Sequence, residues 1–410
     1  MARIVLHSDL NSFYASVETV LDPTLRGKAV AVCGSTEDRH GIVLAKSDLA
    51  RKAGVKTGMA NWEAQRCCPG LLILHPQYEQ YVKYSRLARE IYQRYTDRVE
   101  PYGMDECWLD LTGCRCVDGL AVADEIRKTV HEELGLTVSI GVSFNKIFAK
   151  LGSDMKKPDA VTVISEENYK EKVWPLPASE LIYVGPATTR KLATYGIHTI
   201  GQLAAAPPEF LKQRLGVNGV AIWRYAAGLD TSRVMHQDYD VPIKSIGHGI
   251  TCVQDLLNSE EVWRVMLMLS QDIGHKLRAN DFNAGGVQIT VKDNALGWRQ
   301  YQAPLEVPTQ LPLEIARRAR ALFDKQYDWR LPVRAVTVRA IKLSPKSQPV
   351  QMLLYDDPVR REKRERLEDA VEDIRSRFGK SAIYSACLMG NLKMPGLGVH
   401  EVNLPGMMFQ

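Results

Sequence analysis

Three acidic residues sit where apolar runs end. Asp9 follows Ile4, Val5 and Leu6 and opens the stretch "DLNSFYASVE", while Asp105 and Glu106 are adjacent in "YGMDECWLDLTG". A strand that hands over to a helix N-terminus offers free N–H groups to an anion, and a carboxylate there repels that anion unless a cation lies between them. Clustered carboxylate oxygens without histidine or thiolate suit a hard cation such as Mg²⁺. Two such ions, about 3.5 to 4 Å apart, lower the pKa of an attacking hydroxyl and stabilise leaving phosphate oxygens. Asp9 and Asp105 are the natural bridging ligands, and Glu106 completes the ion that activates the nucleophile. The bland alternative for an Asp-Glu dipeptide is a solvated turn.

A triphosphate also needs cations on its far side. "SDLARKAGVKTG" puts Arg51 and Lys52 on a short helix ending at Gly54, and "SFNKIFAKLGSDMKKP" offers Lys146, Lys150, Lys156 and Lys157. Arg51, for its planar fork, and Lys157, as a compact point charge, are the expected phosphate contacts. Tyr14, one helical turn beyond Asp9, presents a rigid ring near a bound nucleotide's sugar, where it excludes a ribose 2′-hydroxyl. Phe13 beside it, taken by itself, reads rather as helix core.

These residues depend on the elements that carry them. A buried strand is expected over 3–8, a helix over 79–97, strands over 99–104 and 107–112, a helix over about 118–134 and a strand over 136–142. The order β, α, β, β, α, β predicts a ferredoxin-like sheet with about 60 residues inserted after its first strand. The first strand then lies beside the pair at 99–112, so Asp9 meets Asp105 and Glu106. A helix-rich stretch follows over 166–235, with a helix, a glycine hairpin and a helix in "VGPATTRKLATYGIHTIGQL". A second alternation of strands and helices fills 245–343, and a charged helix spans 358–378.

With 410 residues, of which 45% are hydrophobic and 25% charged, the chain has the profile of a multidomain globular protein. No apolar run approaches the ~20 residues that span a bilayer, so no membrane association and a cytoplasmic location are expected. The eight cysteines have no zinc spacing and read as reduced thiols. Between Lys244 and Lys346 fifteen Lys and Arg face ten Asp and Glu, an excess of five that equals the net charge of the whole chain, +5. One basic module in a near-neutral chain is what a phosphate backbone attracts, although a solvated surface has the same composition.

"DLNSFYASVE", "YGMDECWLDLTG" and "SIGVSFNKIFAKLGSDMKKP", in this order and spacing, resemble the catalytic core of the Y-family translesion DNA polymerases of the bacterial DinB/UmuC kind. The resemblance runs over about residues 3–345. It implies an α+β right hand: a ferredoxin-like palm (1–10 and 77–165), small fingers (11–76), a helical thumb (166–240), an α/β little finger (241–345) and a tail (346–410). It implies two Mg²⁺ ions held by Asp9, Asp105, Glu106 and the Leu10 carbonyl. Asp105 and Glu106 are catalytic, Phe13, Tyr14, Arg51 and Lys157 face the nucleotide, and Tyr14 is the steric gate. DNA contacts fall at Gly185, at Lys244, Ser245 and Gly247 of "KSIGHGIT", and at Arg334 and Arg339. "QMLLY" (351–355) resembles a clamp-docking peptide, with Gln351, Leu354 and Tyr355 as its anchors. The implied partners are primer-template DNA, a dNTP and a sliding clamp, for a monomer associated with the nucleoid.

The sequence also departs from that pattern. Asn11 replaces an acidic residue common in polymerase IV-like members and is similar to the polymerase V catalytic subunit. Asp48 stands where a triphosphate-contacting Tyr is common, and Tyr183 takes the place of the first hairpin glycine. The competing readings are a non-catalytic DNA- or clamp-binding adaptor of the same fold, a nucleotidyl cyclase, and a polymerase V-type subunit that needs an accessory protein.

Overall fold

The computed structural model describes residues 3–114, 118–351, 357–380 and 382–395. They form two compact units, one of the described residues up to 34 with those of 42–241, the other of the described residues of 242–395 with 35–41.

In the first unit β1 (Val5–Leu10) leads into α1 (Phe13–Leu21). Next come β2 (Val30–Cys33), β3 (Val43–Lys46), α2 (Asp48–Lys52), α3 (Asn61–Cys67) and β4 (Leu72–Leu74), whose strands form a small sheet ordered β3-β2-β4. The chain continues through α4 (Tyr78–Tyr92), β5 (Val99–Tyr102), β6 (Glu106–Asp110), α5 (Gly119–Leu134), β7 (Val138–Ser143), α6 (Lys146–Met155) and β8 (Val161–Ile164). Five short helices, α7 (Tyr169–Val173), α8 (Pro186–Ala193), α9 (Ile200–Ala205), α10 (Pro208–Leu215) and α11 (Val217–Ala226), complete the unit around a core with Phe148, Leu151, Leu192, Leu203 and Ile222.

The central sheet has the order β5-β6-β1-β7-β8, the ferredoxin-like order with one strand added. β1 lies between β6 and β7, antiparallel to both. Side chains alternate along a strand, so Leu6 and Leu10 point into the core built with α1, α4 and α5 through Phe13, Tyr81, Ile91 and Ile126. Val5, His7 and Asp9 point the other way, towards α6. That helix starts at an Asn145 cap whose side chain accepts from Phe148 N at 2.8 Å. Its approach to the sheet needs Gly141, where an added Cβ would stand 1.9 Å from the Ala149 carbonyl oxygen.

In the second unit β9 (Ile246–Leu256), α12 (Ser259–Ala279), β10 (Phe282–Asp293), β11 (Trp298–Thr309), α13 (Pro312–Gln326) and β12 (Val333–Pro345) repeat the β, α, β, β, α, β order. The strands pair as β11-β10-β12-β9. α12 and α13 cover one face, where Val265, Ile289, Phe323, Val336 and Val338 are buried. The last α-helix among the described residues, α14 (Pro358–Phe378), buries none of its residues. It is seated by Arg278–Asp369 (3.5 Å), Arg364–Glu314 (3.8 Å), Arg375 to Gln271 (2.8 Å), His275–Glu372 and Arg361 to the Pro308 carbonyl (2.7 Å). Val359, Leu367 and Phe378 face solvent.

Among the described residues no helix is long and apolar enough to cross a membrane, and no cysteine is disulfide-bonded.

Candidate active site

The β1–β6 register sets Asp9 opposite Glu106, on the face that α6 covers. Asp105 sits one residue earlier, in a turn whose Gly103 has φ +80°, a conformation that favours glycine. The Leu10 N–H donates to the Asp105 carbonyl at 2.9 Å, which fixes this turn against the end of β1. Three carboxylates therefore come together from two distant places in the sequence. Asp9 is 4% exposed. Burial, then the neighbouring charge of Glu106, pushes its carboxyl up, with Lys150 opposing. Burial, then the charges of Asp9 and Glu106, pushes Asp105 up to about 7.

The helix α6 supplies the opposing charge. Lys150 Nζ donates to Asp9 Oδ2 at 3.2 Å and to Glu106 Oε1 at 3.0 Å, and it stands 3.1 Å from Asp154 Oδ2. Lys157 Nζ donates to Asp9 Oδ2 at 2.7 Å and lies 2.8 Å from Asp154 Oδ1. Buried Glu106 Oε2 has no hydrogen-bond partner, although His7 Nε2 lies 3.3 Å away. Burial keeps His7 neutral, its pKa well below the ordinary value, and its Nδ1 pairs with Ser153 Oγ at 2.9 Å.

An orphaned carboxylate oxygen, a carboxyl lifted by its neighbours' charge, and an all-oxygen donor set fit a hard divalent cation. As placed, however, the side chains are no finished cage: among the described residues no group of three His, Cys, Asp or Glu is arranged to hold an ion. The Lys150 ammonium stands between Asp9 and Glu106.

Tyr14 lies half-buried on α1. Its ring stacks on Tyr81 at 4.3 Å and meets the edge of Tyr78 at 6.0 Å. The Tyr81 hydroxyl donates to buried Glu18, which also accepts from Gln77 Nε2 at 2.7 Å, so the platform under Tyr14 is itself held. Burial, then the charges of Tyr78 and Asp105, pushes the Tyr14 phenol up to about 12. Phe13 is core, 3% exposed. Asn11 Nδ2 donates to Ser139 Oγ at 2.9 Å and its Oδ1 accepts from the Asp159 N–H at 2.8 Å, clasping the chain beyond Lys157 to β7.

Other expected residues are scattered or differently employed. Arg51 is exposed and paired with Asp48 at 2.5 Å. Asp48 and Arg26 border a cavity of about 200 Å³ that Asn11, Ser12 and Ser16 also line. Lys146 corrects the sequence reading that offered it to a phosphate: it is 2% exposed, with Nζ 2.7 Å from both oxygens of Glu100 and 4.5 Å from the Trp108 ring centroid. Nothing in the local sequence marks Glu100 as its partner.

Gly185 caps α8, and Tyr183 before it has φ +69°, the left-handed conformation more usual for glycine. In the second unit Lys244 and Ser245 lead into β9, and Gly247 pairs with Arg339 on the sheet face that α12 and α13 leave open. Arg334 lies near the start of β12. Gln351 is exposed, and residues 352–356, which include Leu354 and Tyr355, lie outside the described residues.

Residues 8–154 match the impB/mucB/samB family and residues 243–354 match the C-terminal domain of that family. The DNA polymerase IV of Acetivibrio thermocellus is 48% identical over 95% of this chain and 98% of its own length. The DNA polymerase IV of Moorella thermoacetica is 37% identical over 96% and 97%, and DNA polymerase IV 1 of Bacillus subtilis is 36% identical over 93% and 92%. Among solved structures, a Y-family DNA polymerase chimera superimposes with a TM-score of 0.74, at 22% identity, over 83% of this chain and 99% of its own.

Proposed function

Because this chain belongs to the impB/mucB/samB family, we infer that it is a template-directed DNA polymerase of the Y-family translesion type. Its substrates are primer-template DNA and dNTPs. The observation that carries the reading at the site is the Asp9–Glu106 register with Asp105 beside it, supported by relatives matched over nearly their whole length. An adaptor without chemistry is not favoured, because all three carboxylates are present. The accessory-dependent reading drawn from Asn11 is not favoured either, since the matched relatives carry the name DNA polymerase IV.

Asp9, Asp105, Glu106 and the Leu10 carbonyl are the residues that would hold two Mg²⁺ ions. When bound, these ions would lower the pKa of the primer 3′-hydroxyl and stabilise the pyrophosphate that leaves. The chain's own residues bind and orient. Tyr14, stiffened by its stack on Tyr81, would close the space a 2′-hydroxyl needs, with Phe13 bracing it from the core. Arg51 and Lys157 would meet the triphosphate, which requires Arg51 to leave Asp48 and Lys157 to leave Asp9.

In this reading 1–10 with 77–165 are the palm, 11–76 the fingers, 166–240 the thumb and 241–345 the little finger. Gly185, Lys244, Ser245, Gly247, Arg334 and Arg339 would touch the DNA backbone. Gln351, Leu354 and Tyr355 would dock a monomeric, nucleoid-associated enzyme in the cytoplasm onto a sliding clamp, raising its effective concentration at the primer end. Deleting 351–355 is expected to abolish clamp binding in a surface-plasmon assay while leaving primer extension without the clamp intact.

The test of the main reading is primer extension with Mg²⁺ and dNTPs on an undamaged template and on one carrying an abasic site. Extension on both is expected. No extension on either template, with DNA still bound, overturns the reading.

A further inference from the structure

Lys150, Lys157 and Asp154 form a charge network in which the nucleotidyl-transfer reading uses Lys157 alone and leaves Lys150 and Asp154 without a role. The spacing explains their meeting: Asp154 follows Lys150 by four residues and precedes Lys157 by three, so both lysines reach it. The Lys150 ammonium has three donors, and its neighbours within 3.2 Å are three carboxylates, Asp9, Glu106 and Asp154. The two Asp154 oxygens are divided between the lysines, Oδ2 facing Lys150 and Oδ1 facing Lys157. The network is also graded by depth: the Asp9 side chain is 6% exposed and that of Asp154 is 40%.

A divalent ion entering between Asp9 and Glu106 meets an ammonium already there, and like charges in a poorly solvated site repel strongly. The ammonium must withdraw without becoming an unpaired, half-buried charge. Asp154 already touches it on the solvent side, and a four-carbon lysine stem rotates easily. We propose that Lys150 is a built-in placeholder cation for the carboxylate site and that Asp154 is the positioning residue that draws it, with Lys157, off Asp9 and Glu106 when a divalent ion binds. Asp154 thus acts on the ion through the lysines and not as its ligand.

The inference rests on the metal reading of Asp9, Asp105 and Glu106, and the experiment separates the two. Mn²⁺ alone is titrated into the full chain without DNA or nucleotide, and bound ion is read by electron paramagnetic resonance. Lys150→Met is expected to tighten Mn²⁺ about tenfold and Asp154→Asn to weaken it about tenfold, within the range for residues that orient ligands. In the Lys150→Met background, Asp154→Asn loses most of its effect, and Lys150→Arg stays close to the unaltered chain. Thermal melts give a readout independent of the titration: in chelator Lys150→Met melts lower than the unaltered chain, and Mn²⁺ restores it by a larger increment.

Mn²⁺ affinity unchanged or weakened in a folded Lys150→Met protein overturns the placeholder. An Asp154→Asn loss that is equally large in both backgrounds makes Asp154 a ligand and overturns its positioning role. Failure of the unaltered chain, Lys150→Met and Lys150→Arg alike to bind Mn²⁺ overturns the metal reading and the inference together.

Discussion

The two large sheets share an element order and differ in almost everything that order does not fix. In the first unit the first strand of the βαββαβ series, β1, lies at the centre between β6 and β7, and helices cover both faces. All six residues of β1 are buried. In the second unit the central strands are β10 and β12, and both helices lie on one face. Along β12 the residues Val336, Val338 and Ala340 are buried while Arg339 between them is exposed. A sheet enclosed on both sides desolvates carboxylates and lifts their pKa values. A sheet with an open face keeps cations solvated and reachable. The first suits chemistry, the second attachment to a charged polymer.

Substitutions that separate chemistry from attachment test that division. The largest expected effect is that of Asp105→Ala with Glu106→Ala, which lowers primer extension by about a thousandfold or more while DNA affinity, measured by fluorescence anisotropy, holds. Loss of both together would merge the roles of the two sheets. Tyr14→Ala changes selectivity within the enclosed site: the ratio of ribo- to deoxyribonucleotide incorporation rises by about an order of magnitude or more, since a steric clash has been removed. An unchanged ratio removes the gate from Tyr14.

Arg339→Ala probes the open face. DNA affinity falls by about fivefold, and the slope of log affinity against log salt shrinks by about one, as for one lost phosphate contact. Extension at saturating DNA stays the same. The smallest effect concerns pH. Asp105 is raised from 3.8 to about 7, so between those values the folded chain holds a proton that the unfolded chain releases. Its stabilising share is full below about pH 4 and is lost as pH rises through about 7. In chelator the melting temperature falls across that window by a few degrees more than in Asp105→Asn, which lacks this titration.

Much of this was legible because it is written locally. Hydrophobic periodicity placed most of the central sheet of the first unit and the strands and helices of the second, but it gave no expectation for β2, β3, β4, α3 or α6. The order of the first unit predicted that Asp9 meets Asp105 and Glu106. Strand order in the second unit was not legible, since the same series of elements pairs in more than one way and the choice depends on packing between distant residues. Lys146 shows the same limit. By sequence it is one of four lysines after a strand, and only the fold brings it to Glu100, 46 positions earlier. Asp154 left a signal that sequence reading passed over, an acid spaced by four and three residues from two lysines. The platform of Tyr81 and Glu18 beneath Tyr14 left none, because it joins helices far apart in the chain.

The helix α14 turns its charged side towards its own unit and holds on through ion pairs and hydrogen bonds, with no buried apolar side chain. Such partly exposed pairs contribute little individually and weaken as salt screens them. Its seat is therefore set by ionic strength more than by packing.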